Sequence, residues 1–258
     1  MRVFAIGDVV SSAGCDYLRK ALSRLKRQLA VDFCIANGEN SAVGNGITPQ
    51  SARALFDSGV DLITTGNHAF RRRESYELFD SRRDLLRPLN YHGSCPGRGF
   101  ARVDLGYTSL VVVNLIGSAY MEHGSNPFDA MDAVLAQLED CRIILVDFHA
   151  EATAEKKAMG YYLDGRVSAV FGTHTHVLTA DAGVLPGGTG YITDLGMTGP
   201  KESVLGVQPA LSVAWLKTGM PTRFAAADGP CMLNGCVFEI DAKTGRALSA
   251  ESVQMEES

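Results

Sequence analysis

Apolar and polar positions fall in blocks that predict strands and helices in turn. Residues 3–7 are a short apolar run closed by Gly7-Asp8 and read as a buried strand. Leu18, Ala21, Leu22, Leu25 and Leu29 then recur at helical spacing. Arg19, Lys20, Arg24, Lys26 and Arg27 fill the other side, the solvated face of an amphipathic helix. Residues 33–36 read as a second strand, ending at Asn37-Gly38-Glu39-Asn40. Thr48-Pro49 is a helix start, a capping hydroxyl before a proline at the first helical position, and the helix runs to Ser58-Gly59. Residues 61–65 are a third strand, ending at Gly66-Asn67-His68.

Three strands thus end in polar clusters with helices between them. Parallel strands need such crossovers, and open α/β sheets bind ligands at the carboxyl ends of their strands. The later chain reads as more antiparallel. Residues 100–104 and 109–114 have hairpin spacing, and Met131, Val134, Leu135 and Leu138 mark another helix. Residues 142–148 are apolar and β-branched and end at His149, while 169–171 lead into Gly172-Thr173-His174-Thr175-His176. A tight turn at 185–190 precedes a strand at 191–193. A helix is expected over 207–216, two strands over 233–240 and 248–254, and frayed chain over 255–258. No repeat, linker or break in composition divides the chain. One α/β domain over 1–258 is expected, with two mixed sheets packed together and helices outside.

Composition narrows the function. The chain has 258 residues, 46% hydrophobic and 21% charged, which excludes collagen-like and disordered classes. A net charge of −5 argues against stable nucleic-acid binding, but a small phosphorylated substrate fits, because a metal supplies positive charge that the residue count omits. No apolar run is long enough to span a bilayer and the N-terminal run is too short for a secretion signal, so a cytoplasmic protein is expected. The six cysteines are scattered with no Cys-x-x-Cys, as reduced thiols would be. Cys231 and Cys236 are the pair that a hairpin could bring close, with free thiols preferred. Exposed apolar surface would support a homo-oligomer.

The chemistry lies at the strand ends. Of six histidines, His68, His149, His174 and His176 follow strands directly, and Asp8, Glu39, Asn40 and Asn67 share that placement. Taken alone, Gly7-Asp8 and Gly38-Glu39-Asn40 are ordinary turns and His149 an ordinary core histidine. His174-x-His176 is stronger, because alternate residues of an extended segment point to one side. His92 and His123 are loop histidines without a partner motif. Imidazole, carboxylate and amide donors without cysteine suit zinc, manganese or iron rather than a structural thiolate site. The donors exceed what one ion with an open position uses. Two ions, about 3.5–4 Å apart in such hydrolases, account for them, with Glu39 able to bridge.

The ordered blocks Gly7-Asp8, Gly38-Glu39-Asn40, Gly66-Asn67-His68, His149 and Gly172-Thr173-His174-Thr175-His176 resemble the calcineurin-like metallophosphoesterase superfamily. Within it the chain is similar to the YmdB-type branch, bacterial phosphodiesterases active on 2′,3′-cyclic nucleotides. That likeness includes Ala36-Asn37-Gly38-Glu39-Asn40, the stretches 147–153, 164–170 and 185–190, and Asp194-Leu195-Gly196-Met197-Thr198-Gly199-Pro200. It implies a four-layer metallophosphoesterase sandwich of two mixed β-sheets flanked by helices, and a dinuclear centre of iron, with manganese or zinc as alternatives. By position, Asp8, Glu39, Asn40 and His176 would hold the first ion, and Glu39, Asn67, His149 and His174 the second. His68 would face the substrate. The implied reaction is phosphodiester hydrolysis by metal-bound hydroxide, with His68 protonating the leaving oxygen of a cyclic nucleotide.

Three stretches depart from the pattern: Val10 where many relatives have a histidine ligand, Ala69 where many have an acid that orients the preceding histidine, and Phe70-Arg71-Arg72-Arg73 in place of Trp-Asp-Lys-Lys. Ser11-Ser12-Ala13 also replaces the more usual Gly-Lys-Pro. Arg71, Arg72 and Arg73 suit either a substrate phosphate or a solvated helix start. Two other functions compete: a nucleotide- or RNA-linked regulator on the same scaffold with little or no catalysis, and a metal-dependent amidohydrolase. Amidohydrolase barrels place His-x-His after their first strand, whereas here it comes late.

Overall fold

In the computed structural model, which describes residues 1–257, two sheets face each other with helices on both outer sides. The first sheet is built from β1 (Arg2–Ile6), β2 (Asp8–Val9), β3 (Phe33–Asn37), β4 (Leu62–Thr64), β11 (Met197–Pro200), β12 (Cys231–Ile240) and β13 (Ala247–Glu256). Its order is β2-β11-β12-β1-β3-β4, with β13 paired to β12. The second is built from β5 (Phe100–Asp104), β6 (Ser109–Ile116), β7 (Ile144–His149), β8 (Ala169–Thr173), β9 (Gly183–Val184) and β10 (Gly190–Ile192), in the order β5-β6-β7-β8-β10-β9. Helices α1 (Ser11–Gln28), α2 (Pro49–Asp57) and α3 (Tyr76–Ser81) belong to the first half of the chain, and α4 (Pro127–Leu135), α5 (Thr153–Leu163) and α6 (Pro209–Thr218) to the second.

The period-2 alternation of strand side chains sorts the core into three layers. Phe4 and Ile6 of β1 pack with Leu18, Leu22 and Leu25 of α1 and Leu55 of α2. Val3 and Ala5, on the other face of the same strand, meet Leu110, Val112, Leu145 and Phe171 between the sheets. Val111, Val113 and Val146 turn outward onto Met131 and Val134 of α4 and Met159 and Leu163 of α5. This α/β/β/α layering is the expected four-layer sandwich. The α2 start is as read from the sequence: Thr48 Oγ1 accepts from Ser51 N at 3.1 Å, and Ser51 Oγ accepts from Thr48 N at 3.0 Å.

Several expectations change. The second sheet is not mainly antiparallel, because β6, β7, β8 and β10 run parallel and only the edge strands β5 and β9 reverse. Helix α5, which makes one of these crossovers, leaves a weak sequence pattern because Lys156 and Gly160 sit on its buried face. Val207 does not begin α6; it bridges Val204 and Ala226, and the helix starts at Pro209. Residues expected to fray continue in β13 to Glu256, where Met232 pairs with Glu256; Ser258 lies outside the described residues. Cys231 and Cys236 lie on one strand, β12, rather than across a hairpin, and both are free thiols. Among the described residues, no helix is long and apolar enough to cross a membrane.

Candidate metal centre

The parallel strands β1, β3 and β4 deliver Asp8, Glu39, Asn40, Asn67 and His68 just past their carboxyl ends. The parallel strands β7 and β8 deliver His149, His174 and His176 from the facing sheet. All eight residues singled out from the sequence meet in one cluster. Asp8 Oδ2 accepts from His174 N at 3.1 Å, and its Oδ1 lies 3.6 Å from His176 Nε2. Glu39 Oε2 accepts from His68 N at 2.8 Å, while its Oε1 lies 3.1 Å from His149 Nε2 and 3.4 Å from His68 Nδ1. His149 Nε2 is also 2.9 Å from Asn67 Oδ1 and 3.1 Å from His174 Nδ1.

Local sequence explains the convergence. A Cβ at Gly66 would lie 2.1 Å from the His149 ring, so only glycine lets β4 end against that imidazole. His174 and His176 adopt φ of +103° and +64°, a backbone that L side chains enter only when the surroundings impose it. The turn is pinned by Asp194, whose Oδ2 accepts from Thr175 N at 3.1 Å and from Lys156 Nζ at 2.6 Å, with both charged groups buried. Val10, at the departure from the common pattern, is capped by the 199–206 segment, and its N–H donates to Thr198 O. Ala69 is buried, and the polar side chain beside the His68 ring is Asn40, whose Oδ1 lies 3.1 Å from His68 Nδ1. Asn40 Nδ2 faces Asp8 Oδ1 at 3.4 Å and His176 Nε2 at 3.3 Å, so ligation through oxygen would require this amide to turn over.

The electrostatics favour a cation. Burial opposes the charge on Glu39, but the His149 and His68 imidazoles beside it hold its carboxyl well below the usual range. Burial likewise works against a charged His149, yet Glu39, then Asp8 and Asp147, push it up to about 9. His174 is pushed down to about 4 by burial and by its neighbour His149. Glu39 Oε1 is buried and has no hydrogen-bond partner despite the nearby ring nitrogens. Glu39, His149 and His174 each offer one ligand atom, all within 4.8 Å of one another. A buried carboxylate oxygen left without a donor and facing imidazole nitrogens is the arrangement that a divalent ion completes.

Some functional neighbours escape a reading of strand ends. Asp147, Thr64, Thr173 and Asn37 form a buried polar group behind His149. Burial pushes Asp147 up to about 7, against the hydroxyls that donate to it. Its sequence signal was available: an acid inside an apolar strand, two residues before His149 and therefore on the same face. Glu151 Oε2 lies 3.1 Å from His174 Nε2 on the open side. Arg72 is not free for substrate. Its Nε donates to Asn45 O at 3.0 Å and its Nη2 to Gly44 O at 3.3 Å and to Val43 O, which clamps the loop after Asn40. A groove of about 510 Å³ lies on the far side of that loop, between the first turns of α1 and α2.

The sequence profile of a YmdB-like protein matches residues 4–253. The chain belongs to the YmdB-like family. The 2′,3′-cyclic-nucleotide 2′-phosphodiesterase of Bacillus subtilis (strain 168) is 42% identical over 254 residues, covering 98% of this chain and 96% of that protein. A crystal structure of a phosphatase from Mycoplasma pneumoniae superposes with a TM-score of 0.94 at 33% identity, covering 99% of this chain and 93% of that one. The calcineurin-like phosphoesterase YfkN of Bacillus subtilis shares the fold, with a TM-score of 0.57 at 11% identity over 100% of this chain and 90% of that chain. The YmdB-like chain therefore has the calcineurin-like phosphoesterase fold, and its two-sheet sandwich is not the barrel of an amidohydrolase.

Proposed function

We propose that this phosphoesterase-family chain is a metal-dependent phosphodiesterase whose preferred substrates are 2′,3′-cyclic nucleotides. The observation that carries the reading is the orphaned Glu39 Oε1 at the meeting point of donors from both sheets. Asp8, Glu39, Asn40 and His176 would hold one cation, and Glu39, Asn67, His149 and His174 a second, with iron preferred and manganese or zinc compatible. When bound, such ions acidify a water and neutralise charge on phosphoryl oxygens. The likeness to the Bacillus subtilis enzyme supports the substrate class.

The chain's own contribution to bond cleavage falls to His68. Its side chain is 27% exposed, at the open edge of the cluster, whereas His149 is fully buried. As imidazolium it offers Nε2–H to the departing ribose oxygen. Glu39 serves the same residue from behind by accepting its backbone N–H, which ties the position of the acid to the buried carboxylate.

The test is metal analysis of purified protein alongside turnover of 2′,3′-cyclic AMP, 3′,5′-cyclic AMP and bis(p-nitrophenyl) phosphate. Two bound metals per chain and fastest turnover of the 2′,3′-cyclic substrate are expected. Bound metal without hydrolysis of any of the three would overturn the catalytic reading and favour a regulatory one.

A further inference from the structure

We propose that Lys156 and Asp194 are a positioning pair: Lys156 holds the buried Asp194 carboxylate in place, and that carboxylate sets the backbone that carries His174, His176 and Asp8. The inference deepens the function proposed above and rests on it only where metal affinity is concerned.

Three donors converge on Asp194. Its Oδ2 accepts from Lys156 Nζ at 2.6 Å and from Thr175 N at 3.1 Å, and its Oδ1 accepts from Gly196 N at 2.8 Å. Thr175 stands between two proposed ligands whose backbone is left-handed, His174 at φ +103° and His176 at φ +64°. Such a turn persists only where its surroundings hold it. Gly196 is also left-handed, at φ +72°, and its carbonyl accepts from Asp8 N at 3.1 Å. Asp8 in turn accepts from His174 N. One carboxylate therefore reaches ligands from both sheets through main-chain bonds alone.

The lysine is placed for this and for nothing else visible. It lies on the buried face of α5, and among the described residues Asp194 is the hydrogen-bond partner of its Nζ. Its stem passes β8 at Gly172, where a Cβ would lie 2.9 Å from Lys156 Cδ and Cε. The glycine that opens Gly-Thr-His-Thr-His is thus the passage through which the ammonium gets beneath the turn. Both charged side chains are only 1% exposed. Apolar residues in place of a buried pair often leave stability unchanged or raise it, so stability does not account for this one. What the pair adds is a fixed position for two peptide N–H groups. Without the lysine the buried anion moves or takes a proton, and an acceptor for Thr175 or Gly196 is lost. An amide at 194 has one oxygen for three donors.

The experiment compares wild type with Lys156→Met, Asp194→Asn and Met159→Ala. Met159 is fully buried on the same helix but packs in the outer core with Val113 and Val146, so its variant is a control for lost packing. Amide hydrogen exchange of Thr175 and Gly196 is read by NMR in metal-free protein, Mn²⁺ is titrated by calorimetry, and stability is measured in urea. In wild type the Thr175 amide should exchange slowly. Lys156→Met and Asp194→Asn should speed exchange at Thr175 or Gly196 and weaken both Mn²⁺ equivalents by about 10–100-fold. Met159→Ala should lose stability and keep wild-type Mn²⁺ affinity. Rapid Thr175 exchange in wild type overturns the inference, as do wild-type exchange and affinity in the two pair variants. So does a Met159→Ala protein that binds Mn²⁺ as weakly as they do, since general packing would then explain the loss. If Lys156→Met does not fold, Asp194→Asn and the wild-type exchange decide. A wild type that binds no metal refutes the proposed function, while exchange in metal-free protein still decides whether the pair holds the turn.

Discussion

The two sheets supply different chemistry to one cleft. The first contributes carboxylates, amides and the half-exposed His68, and its two acids accept from backbone N–H groups: His174 N on Asp8 and His68 N on Glu39. The second contributes imidazoles that are supported by side chains or carbonyls, as Thr173 supports His149 and Leu205 O supports His176. Main-chain donors fix an anion wherever the fold places the peptide. A histidine also has to choose a nitrogen, and only a directional partner makes that choice. The acid side therefore depends on topology, and the imidazole side on particular side chains.

Substitutions can break this contrast. Glu39→Gln should have the largest effect, because one residue serves both proposed ions and meets donors from both sheets. Metal content should fall below two per chain and turnover to background, as read by elemental analysis and the cyclic-nucleotide assay. His68→Ala should separate chemistry from metal: bound metal stays, and kcat falls by about 10²–10⁴-fold. Equal loss of metal in that variant would assign His68 to the ligand set instead.

Gly66→Ala probes the seam between the sheets. The added methyl meets the His149 ring, and a loss of about 1–3 kcal/mol in denaturant stability is expected together with weaker metal binding. Unchanged stability would mean that β4 moves away from the imidazole side freely.

The smallest expected effect is a pH slope. Burial raises the folded Asp147 value to about 7 from 3.8, so the folded protein holds the proton more tightly than the unfolded chain. Its stabilising contribution is complete below 3.8 and is lost as pH rises through about 7. In metal-free protein Asp147→Asn should flatten the fall in Tm across that window. A fall as steep as in wild type would mean that another group carries it.

Much of this was legible in the chain, for identifiable reasons. Asp8, Glu39, Asn40, Asn67, His68, His149, His174 and His176 follow strands directly, and parallel strands carry their ends to one edge. The first sheet's parallel part was readable because β1, β3 and β4 alternate with α1 and the well-capped α2. The parallel order of the second sheet was not, since α5 hides its amphipathic face behind a buried lysine and a glycine. The polar group behind His149 was obscured because Thr64 and Thr173 are ordinary strand formers by composition. The polar neighbour of the His68 ring could not be read from Ala69 beside it, because that neighbour, Asn40, lies on a different loop. Between a phosphate contact and a solvated helix start the sequence could not decide for Arg72, because its partners are main-chain carbonyls, which no sequence displays.

That arginine gives the loop over residues 43–45 an unusual dependence. Its backbone is tethered from the turn that follows His68, so the path of the chain leaving Asn40 is held by a neighbour that touches no proposed ligand. Exchange of this one side chain would release residues 43–45 while leaving every proposed metal-binding group in place, so the surroundings of Asn40 can change independently of the ligand set.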